Sequence, residues 1–210
     1  MENKRITKIY DNCKVCGLPT ITCICNKIKK VRTQVKFIIL SNERELYRKT
    51  NTANLLKLVN PESTEIITWI RGKSSESILR YIKNDIYKVY LVFPDINEEL
   101  KSRKVEYTSS KYIPVFIIVD GTWKEAWKIV KKTDYLKELP VIALKTDRIS
   151  KFILRRGQDE GNLCTIETVI ELLKINEEVS NGDKIDYNFD LFLNSYKAGA
   201  SGHELKNKKI

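Results

Sequence analysis

The sequence predicts an α/β fold: a mostly parallel sheet with flanking helices, preceded by a small cysteine-rich appendage. Three observations point there. From residue 35 onward, short β-branched or aromatic runs alternate with segments of helical period. The runs Val89-Tyr90-Leu91-Val92-Phe93 and Val115-Phe116-Ile117-Ile118-Val119 carry no polar alternation, as expected of strands covered on both faces. And 210 residues, 42% of them hydrophobic, suffice for one core but not for two full-sized domains.

The elements follow in order. Strands are predicted at 35–40, 65–69, 88–93, 115–119, 141–144 and, more weakly marked, 151–154. Helices are predicted at 52–59, 76–83, 123–132, 166–175 and 189–196. Residues 1–30 read as a metal-stapled appendage, 31–196 as the main domain, and 197–210 as a basic, Gly-interrupted tail. No run of about 18 apolar residues occurs, so no membrane association is expected. The opening Met1–Asn12 has no signal-peptide core, which places the protein in the reducing cytoplasm.

Charge narrows the partners. Lys and Arg number 38 against 27 Asp and Glu, a formal net charge of +11, which suits a polyanion such as nucleic acid. The one histidine, His203, lies in the tail, so His-based catalysis and His-rich metal sites are not expected. Nothing in the pattern demands pairing of chains, and monomer and homodimer both stay open.

Four of five cysteines, Cys13, Cys16, Cys23 and Cys25, fall in a C-x2-C-x6-C-x-C pattern. A C-x2-C turn closed by Gly17 brings two thiolates to one ion, and a second pair completes a tetrahedron of soft ligands, the donor set of structural zinc. Disulfides compete on spacing, but a reducing compartment disfavours them. Such a site is closed, so it folds the appendage and does no chemistry.

The sharpest motif is Asp120-Gly121-Thr122-Trp123, at the junction of a buried strand and a helix. In open parallel sheets ligands gather at the carboxyl ends of strands, where Asp120 stands. Thr122 and Glu125 have capping-box spacing. Lys124 and Lys128, four apart, share a face able to meet phosphates. Equally, Thr122 serves as a cap, Trp123 as core and Asp120 as a turn former; the residues alone leave both readings open. Thr52 reads as the N-cap of 52–59, Thr165 and Glu167 as capping residues, and Cys164 as a small buried hydrophobe.

Together with Cys13–Cys25, Arg48–Leu55 (containing Thr50-Asn51-Thr52), Leu91–Pro94, Leu154-Arg155-Arg156 and Leu163–Thr168, the motif resembles the DTW-domain family over residues 13 to 195. That family is similar to tRNA-uridine aminocarboxypropyltransferases and to the SPOUT group of S-adenosylmethionine enzymes, so the resemblance implies a SPOUT-like fold with a trefoil knot. It implies transfer of the 3-amino-3-carboxypropyl group of S-adenosylmethionine to N3 of a uridine in tRNA, releasing methylthioadenosine. Implied catalytic residues are Asp120, Thr122 and Trp123. Cofactor-binding candidates are Thr50, Asn51, Thr52, Pro94, Asp120, Gly121, Thr122, Leu144, Leu154 and Thr165; RNA-binding candidates are Arg48, Lys124, Lys128, Arg155 and Arg156. Ser41-Asn42 stands where family members carry His-Pro, so any role of that His is vacant or reassigned. Two alternatives stay open: a SPOUT-type RNA methyltransferase, and a non-catalytic zinc-containing RNA-binding protein.

Overall fold

The computed structural model describes residues 11–152 and 163–201. Five strands, β1 (Lys36–Ser41), β2 (Thr64–Thr68), β3 (Tyr87–Val92), β4 (Ile113–Asp120) and β5 (Val141–Ile142), form one parallel sheet in the order β2-β1-β4-β3-β5. Among the described residues, seven α-helices accompany it: α1 (Glu43–Leu46), α2 (Thr52–Val59), α3 (Glu76–Ile82), α4 (Glu98–Ser102), α5 (Trp123–Lys131), α6 (Thr165–Ile175) and α7 (Val179–Ala200).

The absence of polar alternation in β1, β3 and β4 has a direct cause. Successive strand side chains point to opposite faces, and here both faces are covered. Phe37, Ile39, Tyr90, Val92, Phe116 and Ile118 pack with α2, α6 and α7. Ile38, Leu40, Val89, Leu91, Val115 and Ile117 pack with α3, α4 and α5. The result is a three-layer α/β/α arrangement, as predicted. Among the described residues, no helix is long and apolar enough to cross a membrane.

Four element readings need correction. β5 is only Val141–Ile142, and Lys151 and Phe152 are not in a strand. The segment 146–152 instead straps across α6 and α7 through ion pairs (below). The helix expected at 189–196 runs from Val179 to Ala200, through residues 197–200 of the expected tail. Its first half looks loop-like, but buried Asn188 accepts from Lys29 N at 2.9 Å and donates to Lys29 O at 2.8 Å, tying the helix to the N-terminal segment. The N-cap of α2 is Asn51, not Thr52: the Asn51 amide oxygen accepts from the N–H groups of Ala53 and Asn54.

Leu18, between the two cysteine pairs, and Ile24, inside the second, are 1% and 0% exposed and belong to the same apolar cluster as α2, α6 and α7. Through these two side chains the described part of the cysteine segment packs on the main core.

Candidate active site and cysteine cluster

The topology selects one place for a site. β1 connects outward to β2, whereas its neighbour β4 connects past β3 to β5, so the crossovers leave the β1–β4 pair in opposite directions. A crevice opens at the carboxyl ends of strands at such a switch point. Ser41 and Asp120 are register partners there, each the last residue of its strand.

Both side chains point to the α2/α6 face, by the parity of their strands. Asp120 is 5% exposed and gathers three protein donors. Thr165 Oγ1 donates to Oδ1 at 2.5 Å, and Asn51 Nδ2 donates to Oδ2 at 2.8 Å. The Ser41 hydroxyl reaches Oδ2 at 3.4 Å and the Asp120 carbonyl at 3.2 Å. Thr165 is the first residue of α6 and Asn51 caps α2, so the carboxylate lies at two helix N-termini, where a negative charge is favoured. Asn51 is fully committed: its amide also donates to Glu45 O at 2.9 Å. Side chains from the end of β1 and the starts of α2 and α6 thus meet on one carboxylate.

The sequence named Asp120, Asn51 and Thr165 but not their mutual contacts. Thr165 proves to be an Asp120 donor, while Cys164 occupies the N-cap position and Glu167 closes the capping box. Ser41 was visible only as a departure from the family's His-Pro; here its hydroxyl completes the node.

Gly121 and Thr122 turn the chain from β4 into α5. Gly121 has φ 153°, and a Cβ there would lie 3.3 Å from Glu125 Cβ. Gly121→Ala is therefore expected to cost about 1–3 kcal/mol in urea denaturation, by straining the turn. Thr122 caps α5: its hydroxyl and N–H donate to Glu125 Oε2 at 2.6 and 2.9 Å. That bonding holds the Glu125 carboxyl below its ordinary range, and the charges of Arg48 and Arg44 add to it. Trp123 is 51% exposed and stacks on Phe93, and Lys124 and Lys128 are exposed.

Pro94 and Leu144 follow β3 and β5, so they share this edge of the sheet; Pro94 is exposed and Leu144 half-buried. Thr50 is half-buried and Thr52 buried at the start of α2. Arg48 is exposed and pairs with buried Glu45 at 3.0 Å. Leu154, Arg155 and Arg156 lie outside the described residues.

A second polar cluster braces α6. Fully buried Glu167 accepts from Ser150 Oγ at 2.7 Å, Lys151 N at 2.6 Å and Cys164 N at 2.9 Å. Arg148 pairs with Asp186 at 2.5 Å and Glu171 at 3.6 Å, and Lys151 reaches Asp186 and Asp190 at 3.0 Å. Burial alone would raise the Asp186 carboxyl, but hydrogen bonds from Lys151 and Arg148 outweigh it and hold it low. A depressed carboxylate stabilises above its unfolded pKa and ceases to do so as pH falls through the folded one. The strap is thus expected to loosen below about pH 4. Glu167→Ala leaves two backbone donors without an acceptor and is expected to cost about 2–4 kcal/mol in urea denaturation, with faster proteolysis at 146–152.

The four clustered cysteines bring their Sγ atoms within 4.8 Å of one another. Cys13 and Cys25 are 3.6 Å apart, Cys16 and Cys23 3.7 Å, and none is in a disulfide. Tetrahedral zinc with bonds of about 2.3 Å sets its sulfurs about 3.8 Å apart, so the donor set fits that ion. The backbone N–H groups of Cys16 and Val15 point at Cys13 and bring its thiol down to about 6, whereas burial pushes the Cys16 and Cys25 thiols up.

The DTW domain family model matches residues 10–197. The chain is 25% identical over 175 residues to a protein named tRNA-uridine aminocarboxypropyltransferase 2 from Drosophila melanogaster, spanning 80% of this chain and 67% of that protein. No solved structure matches. With the family's matched region spanning the cysteine cluster, the whole sheet and the Asp120 node, the chain belongs to the DTW domain family.

Proposed function

We propose that the protein is a tRNA-uridine aminocarboxypropyltransferase that uses S-adenosylmethionine and carries a structural zinc ion on Cys13, Cys16, Cys23 and Cys25. The observation that carries the reading is the Asp120 node: a buried carboxylate, fixed by Asn51, Thr165 and Ser41, at the switch point of a parallel sheet. Membership of the DTW domain family and the activity in the fly relative's name support it. The net charge of +11 suits a tRNA partner.

The edge residues suit a nucleoside co-substrate. Pro94 and Leu144 offer apolar walls, Gly121 brings backbone close without a side chain, and the N-termini of α2 and α6 favour a carboxylate. S-adenosylmethionine supplies an electrophilic carbon: as uridine N3 bonds to it, the C–S bond pair leaves on sulfur and the N3 proton passes to a base or to water. Which carbon is attacked depends on which one faces the nucleophile, so positioning selects the group transferred.

The chain's own residues do that positioning. A carboxylate has about four acceptor positions, and three donors already engage Asp120, so it has room for one more donor, such as a uracil N3–H or an amine. Thr122 keeps the turn after β4 in place through Glu125. Exposed Arg48, Lys124 and Lys128 are placed for phosphates. The test is to incubate the protein with labelled S-adenosylmethionine and unmodified tRNA and to identify the small product. Methylthioadenosine supports the proposal; adenosylhomocysteine replaces it with methyl transfer; tight tRNA binding without product leaves an RNA-binding protein.

A further inference from the structure

We infer that Trp123 is a stacking platform for an unpaired RNA nucleobase. This deepens the proposed function, on which it rests for the nature of the strand. Three observations carry it. First, the indole is 51% exposed, although it is the costliest kind of side chain to leave in water. Secondly, it is held from behind. Phe93, 5% exposed, stacks beneath it at 5.3 Å and 16°, and also against Trp127 at 6.1 Å and 24°. Among the described residues, Phe93 is the only ring stacked on Trp123, and about half of the Trp123 surface meets solvent. Trp127 already covers Phe93, so packing alone gives little reason for a second indole at the first, solvent-facing position of α5.

Thirdly, α5 itself carries exposed cations. Lys124 and Lys128 are exposed on α5, and Arg44 is exposed on α1. Tyr47, 78% exposed, precedes Arg48. An exposed aromatic ring on an element that also carries exposed lysines is how proteins hold single strands: the ring takes a base and the cations take flanking phosphates. Adenine of the co-substrate is the other planar candidate. It is disfavoured because S-adenosylmethionine carries its own positive charge and gains nothing from the lysines of α5. Moreover, α5 and Phe93 pack on the opposite face of the sheet from the Asp120 side chain.

The test uses the full chain and a single-stranded oligouridylate of about ten nucleotides. Trp123→Leu is expected to weaken its binding about tenfold or more, and Trp123→Phe to keep most of it. In a Trp69→Phe, Trp127→Phe double variant, in which Trp123 is the remaining tryptophan, oligouridylate should quench the emission and inorganic polyphosphate should not. This second measurement stands even if Trp123→Leu fails to fold. Unchanged binding in a folded Trp123→Leu, or quenching by polyphosphate equal to that by oligouridylate, overturns the inference. So does loss of methylthioadenosine affinity in Trp123→Leu with oligouridylate binding intact, which gives the ring to adenine. None of these readouts needs turnover. A chain that makes no methylthioadenosine yet shows the Trp123 dependence removes the proposed reaction and leaves the platform; a chain that makes it without that dependence does the reverse.

Discussion

Asp120→Ala is expected to lower both stability and turnover, whereas Asp120→Asn is expected to lower turnover far more than stability. The difference lies in what each variant leaves behind. Alanine removes the acceptor of both the Asn51 amide and the Thr165 hydroxyl in a buried place. Each orphaned donor costs about 1–3 kcal/mol, so the melting temperature should fall by roughly 5–15 °C. Asn51 cannot turn to a new partner, because its oxygen caps Ala53 and Asn54. Asparagine at 120 has nearly the same shape: its carbonyl can face Asn51 while its amide donates to the Thr165 hydroxyl. What it lacks is the charge opposite two helix N-termini and the remaining acceptor position. Turnover, followed as methylthioadenosine release, should drop about 100-fold or more with a melting temperature within a few degrees of wild type. Wild-type turnover in Asp120→Asn takes the carboxylate out of the chemistry. Wild-type stability in Asp120→Ala means that the node holds nothing together.

Removal of metal is the other large effect. Chelation, or Cys16→Ser, is expected to release one zinc per chain and to lower the melting temperature by about 10 °C or more. Leu18 and Ile24 sit within the cysteine segment and are buried in the core beneath α6 and α7. If the cysteine segment opens, both lose their cover, at about 1.5–3 kcal/mol for each side chain. The damage therefore reaches the main domain. Elemental analysis and thermal melts with and without chelator measure it. Metal-free protein with an unchanged melt would show that thiols alone suffice.

Much of the layout was legible because it rests on local signals. β3 and β4 were readable as unbroken apolar runs, and α2 was placed from Thr52 to Val59 because its apolar positions recur with helical spacing. α1 and α4 were missed: with four and five residues they are too short to show a period. The first half of α7 was missed for another reason. Asn188 is satisfied by Lys29, a partner 159 positions away. The candidate site divides along the same line. Asp120, Thr122 and Glu125 are neighbours in the chain, and the capping box was visible in advance. That Asp120 would accept from residues 51 and 165 depends on which strands lie side by side, which no local pattern records. Ser41, an unremarkable small residue at a strand end, carried no signal except its departure from the family's pattern.

The position of β4 bears on how the protein is made. This strand, fourth in the chain, fills the centre of the sheet between β1 and β3. Until the ribosome has delivered residues 113–120, β1 and β3 have no shared neighbour, and each presents a bare apolar rim on which another chain can zip. Fragments ending before that point should precipitate, and the carboxylate with its two helix caps comes into being only when nearly the whole polypeptide has been synthesised.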